Sequence, residues 1–413
     1  MKKLLSVITI IVITLLVLVR YVGNLAEQET RKALADEALQ NNPDLAIKLL
    51  SYDRSFFGAV AKTEITLNAH GQKPIVILSS SVVSHLPYKA VVVTELEIKD
   101  KKIAKNVSAY FGRDDWFSSR EEVNLFGQVS GELSIVAGEY KSSTETLKTS
   151  PLAISYKLNI NDMAGEAQLI WEDIDVTIES ENTVMKSLAL NMTFEKQGAE
   201  AQSQDYKYAY ELTAKRVHSQ MVGVSTPTTA YLIEGISIKG SSEMAEQAHR
   251  MNSYNDLSVA NYQLGNDKSL VFKNNHLKFD LLGTYEPIIS DLSSSSGRTA
   301  ESLGQIFNKG LHLSQASFSS ETPWGKVGAN MDINLEAGAD LPHVANNVFM
   351  LFDYTSGTAH FSVPKILLKL PLFAGYLQEW VQQGMIIQAE DQLILDLKFE
   401  QGELLINGTE YPL

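Results

Sequence analysis

The chain has 413 residues, a formal charge of −14 and no cysteine. That length supports one large or two medium domains with real cores, and the missing thiols exclude a disulfide framework, Cys-ligated zinc, iron–sulfur clusters and a thiol nucleophile. Setting aside the cations Lys2, Lys3 and Arg20 takes −14 to −17 for the remainder. A surface of that sign repels phosphate backbones, so nucleic acid is not expected as a partner.

Residues 4–19 form an apolar run flanked by Lys2 and Lys3 before it and Arg20 after it. Leu4, Ile8, Ile11, Leu15 and Leu18 lie along it, and only Ser6, Thr9 and Thr14 carry hydroxyls. Sixteen helical residues reach about 24 Å, and Tyr21 and Val22 extend this toward the roughly 30 Å hydrocarbon core. The N-terminal lysines favour a cytoplasmic start, which puts the rest of the chain across the membrane. A cleaved signal peptide begins in the same way, but residues 19–24 lack the small residues a peptidase needs. The expectation is an uncleaved anchor over residues 1–22, with the lipid bilayer as its partner.

Residues 23–42 read as a helical stalk, with Leu25, Ala33, Leu34, Ala38 and Leu39 as a modest apolar stripe and Asn41-Asn42-Pro43 as its stop. Such a stalk is either a spacer or a weak self-association helix. From residue 43 the period becomes two. Leu152, Ile154, Tyr156 and Leu158 alternate with polar neighbours, as do Ile174, Val176 and Ile178, then Tyr206, Tyr208, Tyr210 and Leu212. The same holds for Leu277, Phe279 and Leu281, for Met331, Ile333 and Leu335, and for Leu393, Leu395, Leu397 and Phe399. Alternation of this kind predicts antiparallel strands with one buried face, here a β-rich domain over residues 43–292.

Ser293 to Ser296 with Gly297 read as a linker. Beyond it, residues 298–413 are expected to form an α+β part that closes the sheet. Helices are predicted at 298–311, 342–351 and 364–383, the last kinked or split at Pro371, and strands at 385–390, 392–399 and 403–407. The predicted class is α+β, dominated by a large antiparallel curved sheet, with helices packed on it in the C-terminal third.

Several stretches resemble the YdgA family of Gram-negative envelope proteins, whose domain has no assigned function. These are Tyr21-Val22-Gly23-Asn24-Leu25-Ala26-Glu27 after the anchor, Asn41 or Asn42 at the stalk's end, the opening strand Tyr52-Asp53-Arg54-Ser55-Phe56-Phe57-Gly58, and the closing hairpin with Asn407-Gly408. The resemblance implies an inner-membrane location with the bulk of the chain in the periplasm. It supplies no catalytic residues.

The chain lacks a P-loop, a dinucleotide fingerprint and HExxH. Gly127-Gln128-Val129-Ser130-Gly131 has the wrong spacing for a nucleophile elbow and reads as a glycine-bearing bend or bulge. Eight histidines are scattered with no pair at i, i+2 or i, i+4, so no metal and no cofactor is expected. Asp114-Asp115-Trp116 beside Arg113 offers paired carboxylates next to an aromatic ring, as sugar-cleaving sites do, or else an acidic loop whose Trp packs on the sheet. Asp173 and Asp175 share one wet face of a strand.

Two features carry a binding signal. Tyr206, Tyr208 and Tyr210 line one face of a strand, as ordinary sheet packing or as the rim of an apolar groove. Residues 364–381, with Phe373, Tyr376 and Trp380, are too apolar for a solvated helix and must be buried, plug a groove or meet lipid. The expected role is a non-enzymatic envelope factor that handles a hydrophobic ligand such as lipid or supports envelope assembly. The alternative is a periplasmic hydrolase built around Asp114.

Overall fold

A computed structural model describes residues 18–21, 24, 27–28, 31, 45–68, 73–197, 206–221, 228–245, 250–267, 269–285, 308–338, 353–400 and 402–411. The fold is β-dominated with few helices, as the alternating pattern predicts. Two compact units emerge, residues 1–179 with 188–193, and residues 180–187 with 194–413. The serine run at 293–296, where the sequence suggests a boundary, lies outside the described residues.

In the first unit β1 (Leu45–Arg54), β2 (Gly58–Leu67), β3 (Ile75–His85) and β4 (Lys89–Ile98) form an antiparallel meander. Helix α1 (Lys101–Phe111) then leads into β5 (Phe117–Asn124) and β6 (Gln128–Ile135), which extend the same sheet. Next come β7 (Gly138–Lys141), β8 (Glu145–Thr149) and β9 (Leu152–Asn159), with β6 against β9 and β7 against β8 as one interrupted hairpin. The long β10 (Ala164–Ile178) lies along both β9 and β8. Ala59, Val83 and Ala90 make the buried core, with Tyr52, Val92 and Leu125 packed around them.

Helix α1 departs from the expectation that helices cluster late. Its signals are present in the sequence. Asp100 caps it, accepting from the backbone N–H of Lys102 (2.9 Å) and Ile103 (3.2 Å), and Gly112 at φ +68 ends it. Those two N–H groups, Ile103 first, with Lys73 nearby, hold the Asp100 carboxyl below its ordinary range. A depressed folded value means a stabilising contribution that is present above the unfolded pKa and disappears as pH falls through the folded one. Asp100→Asn, which keeps an acceptor, is therefore expected to weaken the dependence of melting temperature on pH between about 5 and about 2, measured by thermal unfolding. An unchanged acid profile would refute this cap.

Gly127 sits in the β5–β6 turn at φ +72, whereas Gly131 lies in regular register opposite Tyr156. The expected bend is thus confined to Gly127, and Gly131 instead leaves room for the Tyr156 ring, whose nearest atom lies 2.4 Å from where a Cβ would stand.

At the N-terminus the described residues of 18–31 are helical and lie against β1. Arg54 bonds to the Arg20 carbonyl (3.0 Å), to Asn24 Oδ1 and to the Glu27 carboxylate (3.4 Å), while Arg31 stands 5.9 Å from the Tyr52 ring centre. Leu18 is half-buried, but Leu4, Ile8, Ile11 and Leu15 fall outside the described residues. Among those described, no helix is long and apolar enough to cross a membrane.

The strand β11 (Glu181–Lys196) runs through the division between the units. The second unit continues as a meander of β12 (Tyr206–Met221), β13 (Thr228–Met244), β14 (Arg250–Leu264), β15 (Val271–Tyr285), β16 (Leu311–Thr322), β17 (Gly325–Leu335) and β18 (Thr355–Pro364). A 3-10 turn (Lys365–Lys369) and α2 (Pro371–Gln382) follow, so Pro371 does split the predicted helix, and it takes the first helical position where its missing N–H costs nothing. Strand β20 (Gln392–Glu400) pairs with β18 on one edge and with the short β19 (Ile387–Gln388) and β21 (Glu403–Ile406) on the other. The strand expected at 385–390 shrinks to β19. The chain closes with β22 (Thr409–Tyr411) after Asn407 and Gly408, both at positive φ, as a two-residue hairpin twisting with its strands requires. Of the helix predicted at 298–311, Asn308 and Lys309 are helical and Leu311 already begins β16; residues 298–307 and the helix predicted at 342–351 lie outside the described residues.

Candidate functional site

The register of the second unit sorts its side chains sharply by face. Following partners from strand to strand, Leu212, Ile238, Leu257, Leu277, Phe318, Ala329, Phe361 and Leu395 form one unbroken apolar row from β12 to β20. Two residues along, Ala316, Met331, Ala359, Leu397 and Ile406 make a second row, and Leu281, Leu313, Ile333, Gly357, Phe399 and Leu404 a third. Leu277 and Phe318 face each other across β15 and β16, and both are exposed. In the first row only Ala329 is fully buried. Among the described residues, this face leaves apolar surface open at Leu277 and Phe318, while Leu212, Ile238, Leu257, Phe361 and Leu395 are half-buried.

The other face is polar. His276 meets Asp256 at 3.0 Å, His312 meets Asp332 at 3.0 Å, and His360 meets Asp396 at 2.6 Å. The hydrogen bond from His312, with Ser314 beside it, holds the Asp332 carboxyl below its ordinary range. Each histidine thus has a single carboxylate, and among the described residues no group of three or more His, Asp or Glu could hold a metal ion.

Tyr206, Tyr208 and Tyr210 share the parity of Leu212 on β12, so they continue the apolar face at its edge. Tyr206 packs between Phe194 (ring centres 6.3 Å) and Tyr208 (5.9 Å). Tyr210 lies across its register partner Gly240, where a Cβ would stand 2.4 Å from the ring, and both Tyr208 and Tyr210 remain exposed. Packing and surface are combined in the same three residues.

Helix α2 separates its predicted residues. Phe373 turns inward, edge-on to Trp324 (6.5 Å), which meets Phe272 (6.2 Å), which meets Tyr262 (6.0 Å). Leu372, Tyr376 and Trp380, four residues apart, form an exposed stripe on the other side. The turn after α2 is held by Asn407, whose Nδ2 donates to the Gly384 (3.3 Å) and Met385 (2.9 Å) carbonyls while its Oδ1 accepts from Asp396 N (2.9 Å). Asn407→Ala removes all three bonds at a positive-φ position and is expected to destabilise the second unit by about 1–3 kcal/mol, measured by urea unfolding. A wild-type midpoint would sink that assignment.

In the first unit a groove of about 540 Å³ opens over β5, β6, β9 and β10, with Tyr156 in its wall. Most of its charges are paired: Lys157 with Glu166 (3.0 Å), and Arg120 (3.1 Å) and Lys89 (2.6 Å) with Glu122. Burial and the nearby Glu121 carboxylate hold the Tyr156 phenol well above its ordinary range, so it is neutral and serves packing. The Asp114 loop has a similar character. Trp116 stacks on Phe111 (5.4 Å, 9°), and Arg113 grips Asp115 through two nitrogens, holding its carboxyl below the ordinary range. Asp175 stands opposite Lys148 across β8 and β10.

Sequence alternation marks each strand, but the continuity of the apolar rows depends on register, which single strands do not reveal. Leu277, Leu395 and Ile333 stand out as strand residues; Phe318 and Phe361 carry no signal until their partners are known. The family described as "Bacterial protein of unknown function (DUF945)" has a model that matches residues 1–413, and the chain belongs to that family. No curated protein matches the chain, and no solved structure matches it.

Proposed function

We propose that this member of a bacterial family of unknown function is a membrane-anchored envelope protein that binds the acyl chains of lipid on the apolar face of its second unit, without catalysing a reaction. In this reading residues 1–22 form a single-pass inner-membrane anchor with a cytoplasmic N-terminus, and the β-rich bulk lies in the periplasm. The observation that carries the binding role is the row from Leu212 to Leu395. Its seven strand-to-strand steps, at about 4.8 Å each, span roughly 34 Å, enough for an extended acyl chain. Tyr208 and Tyr210 supply hydroxyls at the edge of that face, where a headgroup needs polar contacts.

A photocrosslinking amino acid placed at Leu277 or Phe318, in cells fed radiolabelled phosphate, is expected to capture labelled phospholipid. The same group at Thr358, whose side chain falls on the polar face, is expected to capture none. Equal labelling of both faces, or of neither, would overturn the proposal. The alternative reading, a hydrolase acting through Asp114, gains little from the loop's chemistry: a general acid needs a raised carboxyl pKa, whereas Arg113 lowers that of Asp115. Replacing Asp114 and Asp115 together with asparagine is expected to leave rescue of a deletion phenotype intact, and loss of rescue would favour the hydrolase.

A further inference from the structure

Antiparallel succession brings four turns of the first unit to one end of its sheet: 55–57 after β1, 86–88 after β3, 125–127 after β5 and 160–163 after β9. Each turn presents a large apolar side chain to solvent. Phe57 is 63 % exposed, Tyr88 61 % and Phe126 75 %, with Phe56, Leu86 and Met163 beside them. Hairpin tips ordinarily carry polar turn residues, so an apolar side chain at every tip of one sheet end needs an explanation.

The tips are fastened to each other. His85 N donates to the Phe57 carbonyl (2.7 Å), Leu125 N to the Tyr88 carbonyl (3.1 Å), Asn161 Nδ2 to the Phe126 carbonyl (2.8 Å) and Ile160 N to the Gly127 carbonyl (2.9 Å). They form a continuous rim. The opposite end of the sheet is mostly charged and hydroxylic, with Lys73, Lys99, Asp100, Lys101, Lys102 and the Ser142-Ser143-Thr144 turn, although Tyr140 and Ile178 are exposed there.

Arg54, the last residue of β1, stands at the rim and also bonds the Arg20 carbonyl, Asn24 and Glu27. Arg20 directly follows the apolar run of residues 4–19. The rim and the end of that run are therefore held together by one side chain.

We infer that the rim is a second membrane contact: its aromatic tips sit in the headgroup and upper acyl region of the bilayer in which residues 4–19 are embedded. Aromatic rings are favoured at that depth, where an apolar body meets lipid and the surrounding backbone stays hydrated. Lys89 stands 5.8 Å from the Tyr88 ring centre, but its ammonium is already paired with Glu122 (2.6 Å), so the tips would meet lipid through their rings rather than through charge. This inference rests on the proposed anchor for the identity of the membrane, and the two are separable by experiment.

The chain has no cysteine, so single-cysteine variants label cleanly. The full chain, reconstituted in vesicles of phosphatidylethanolamine and phosphatidylglycerol bearing acyl-chain nitroxides, would carry a fluorophore at Phe57→Cys, Tyr88→Cys or Phe126→Cys. Ser143→Cys at the far end and Leu15→Cys in the apolar run serve as references. Expected is quenching at the three tips several-fold above Ser143, with Leu15 quenched as well. Leu15 quenched and the tips matching Ser143 would overturn the rim contact while leaving the anchor standing. Quenched tips with an unquenched Leu15 would support the rim contact and overturn the anchor. Quenching at none would overturn both.

Discussion

Gly357→Ala is expected to unfold the second unit or to cost it about 3–5 kcal/mol, a large share of the roughly 5–15 kcal/mol that holds a domain together. Gly357 lies in β18 between Ile333 of β17 and Phe399 of β20, with φ +138. A Cβ there would stand 2.0 Å from the Asp332 carbonyl oxygen and 2.9 Å from Ile333 Cα. Both obstacles are backbone, so no rotamer change relieves them, and the conformation itself disfavours an L side chain. The displaced strand would carry Asp332, partner of His312, and Ile333 of the third apolar row. Gly375→Ala is the control: Gly375 lies within α2 and a Cβ there meets nothing within 4 Å, so the change is expected to be neutral or to stabilise by about 0.5–1 kcal/mol. Urea unfolding of both variants decides the matter. A Gly357→Ala midpoint equal to that of Gly375→Ala would show that the strand has more latitude than the register implies.

Tyr156→Ala is expected to destabilise the first unit by about 2–4 kcal/mol, somewhat below the loss for a fully buried aromatic ring. In register Tyr156 lies between Gly131 on β6 and Ala167 on β10, so its ring is the only large side chain in that row of three strands. Removing it leaves a trough that neither small neighbour can fill. Tyr156→Phe keeps the ring and gives up only the hydroxyl facing Glu121, a loss of about 1 kcal/mol. Thermal unfolding of the pair separates ring from hydroxyl; equal losses would place the contribution in the hydroxyl. The same device recurs with Tyr110 over Gly138 and Tyr210 over Gly240. Paired with a glycine, a tyrosine on a sheet covers backbone that would otherwise face water.

Legibility in the sequence followed the range of the interactions. The period-two pattern of Tyr206 to Leu212, or of Leu393 to Phe399, depends on neighbours within one strand and was readable. The split at Pro371 was readable for the same reason, since the missing N–H acts locally. Helix α1 was equally local, with Asp100, Gly112 and the Ile103, Val107, Tyr110 spacing, but a run of strands on both sides masked it. The apolar rows were not readable, because Phe318 meets Leu277 only through the register that a bulge near Gln315, itself at φ +49, sets between β15 and β16. The rim was hidden likewise: Phe57, Tyr88 and Phe126 lie about thirty to forty residues apart, and only hairpin geometry brings them to one end.

The meander also governs how these units are assembled. In the first unit β1 to β6 pair in chain order, and in the second β12 to β18 do the same, so most partnerships join segments already adjacent in time as the polypeptide is made. Apart from the longer connections before β5, β16 and β18, these loops are short and cost little chain entropy to close, and each completed strand offers an edge that templates its successor. Growth can therefore proceed vectorially, one ribbon after another, without waiting for the C-terminus. Among the described residues the growing edge of the second unit passes from strand to strand as far as β22, which at three residues is a short template for another chain.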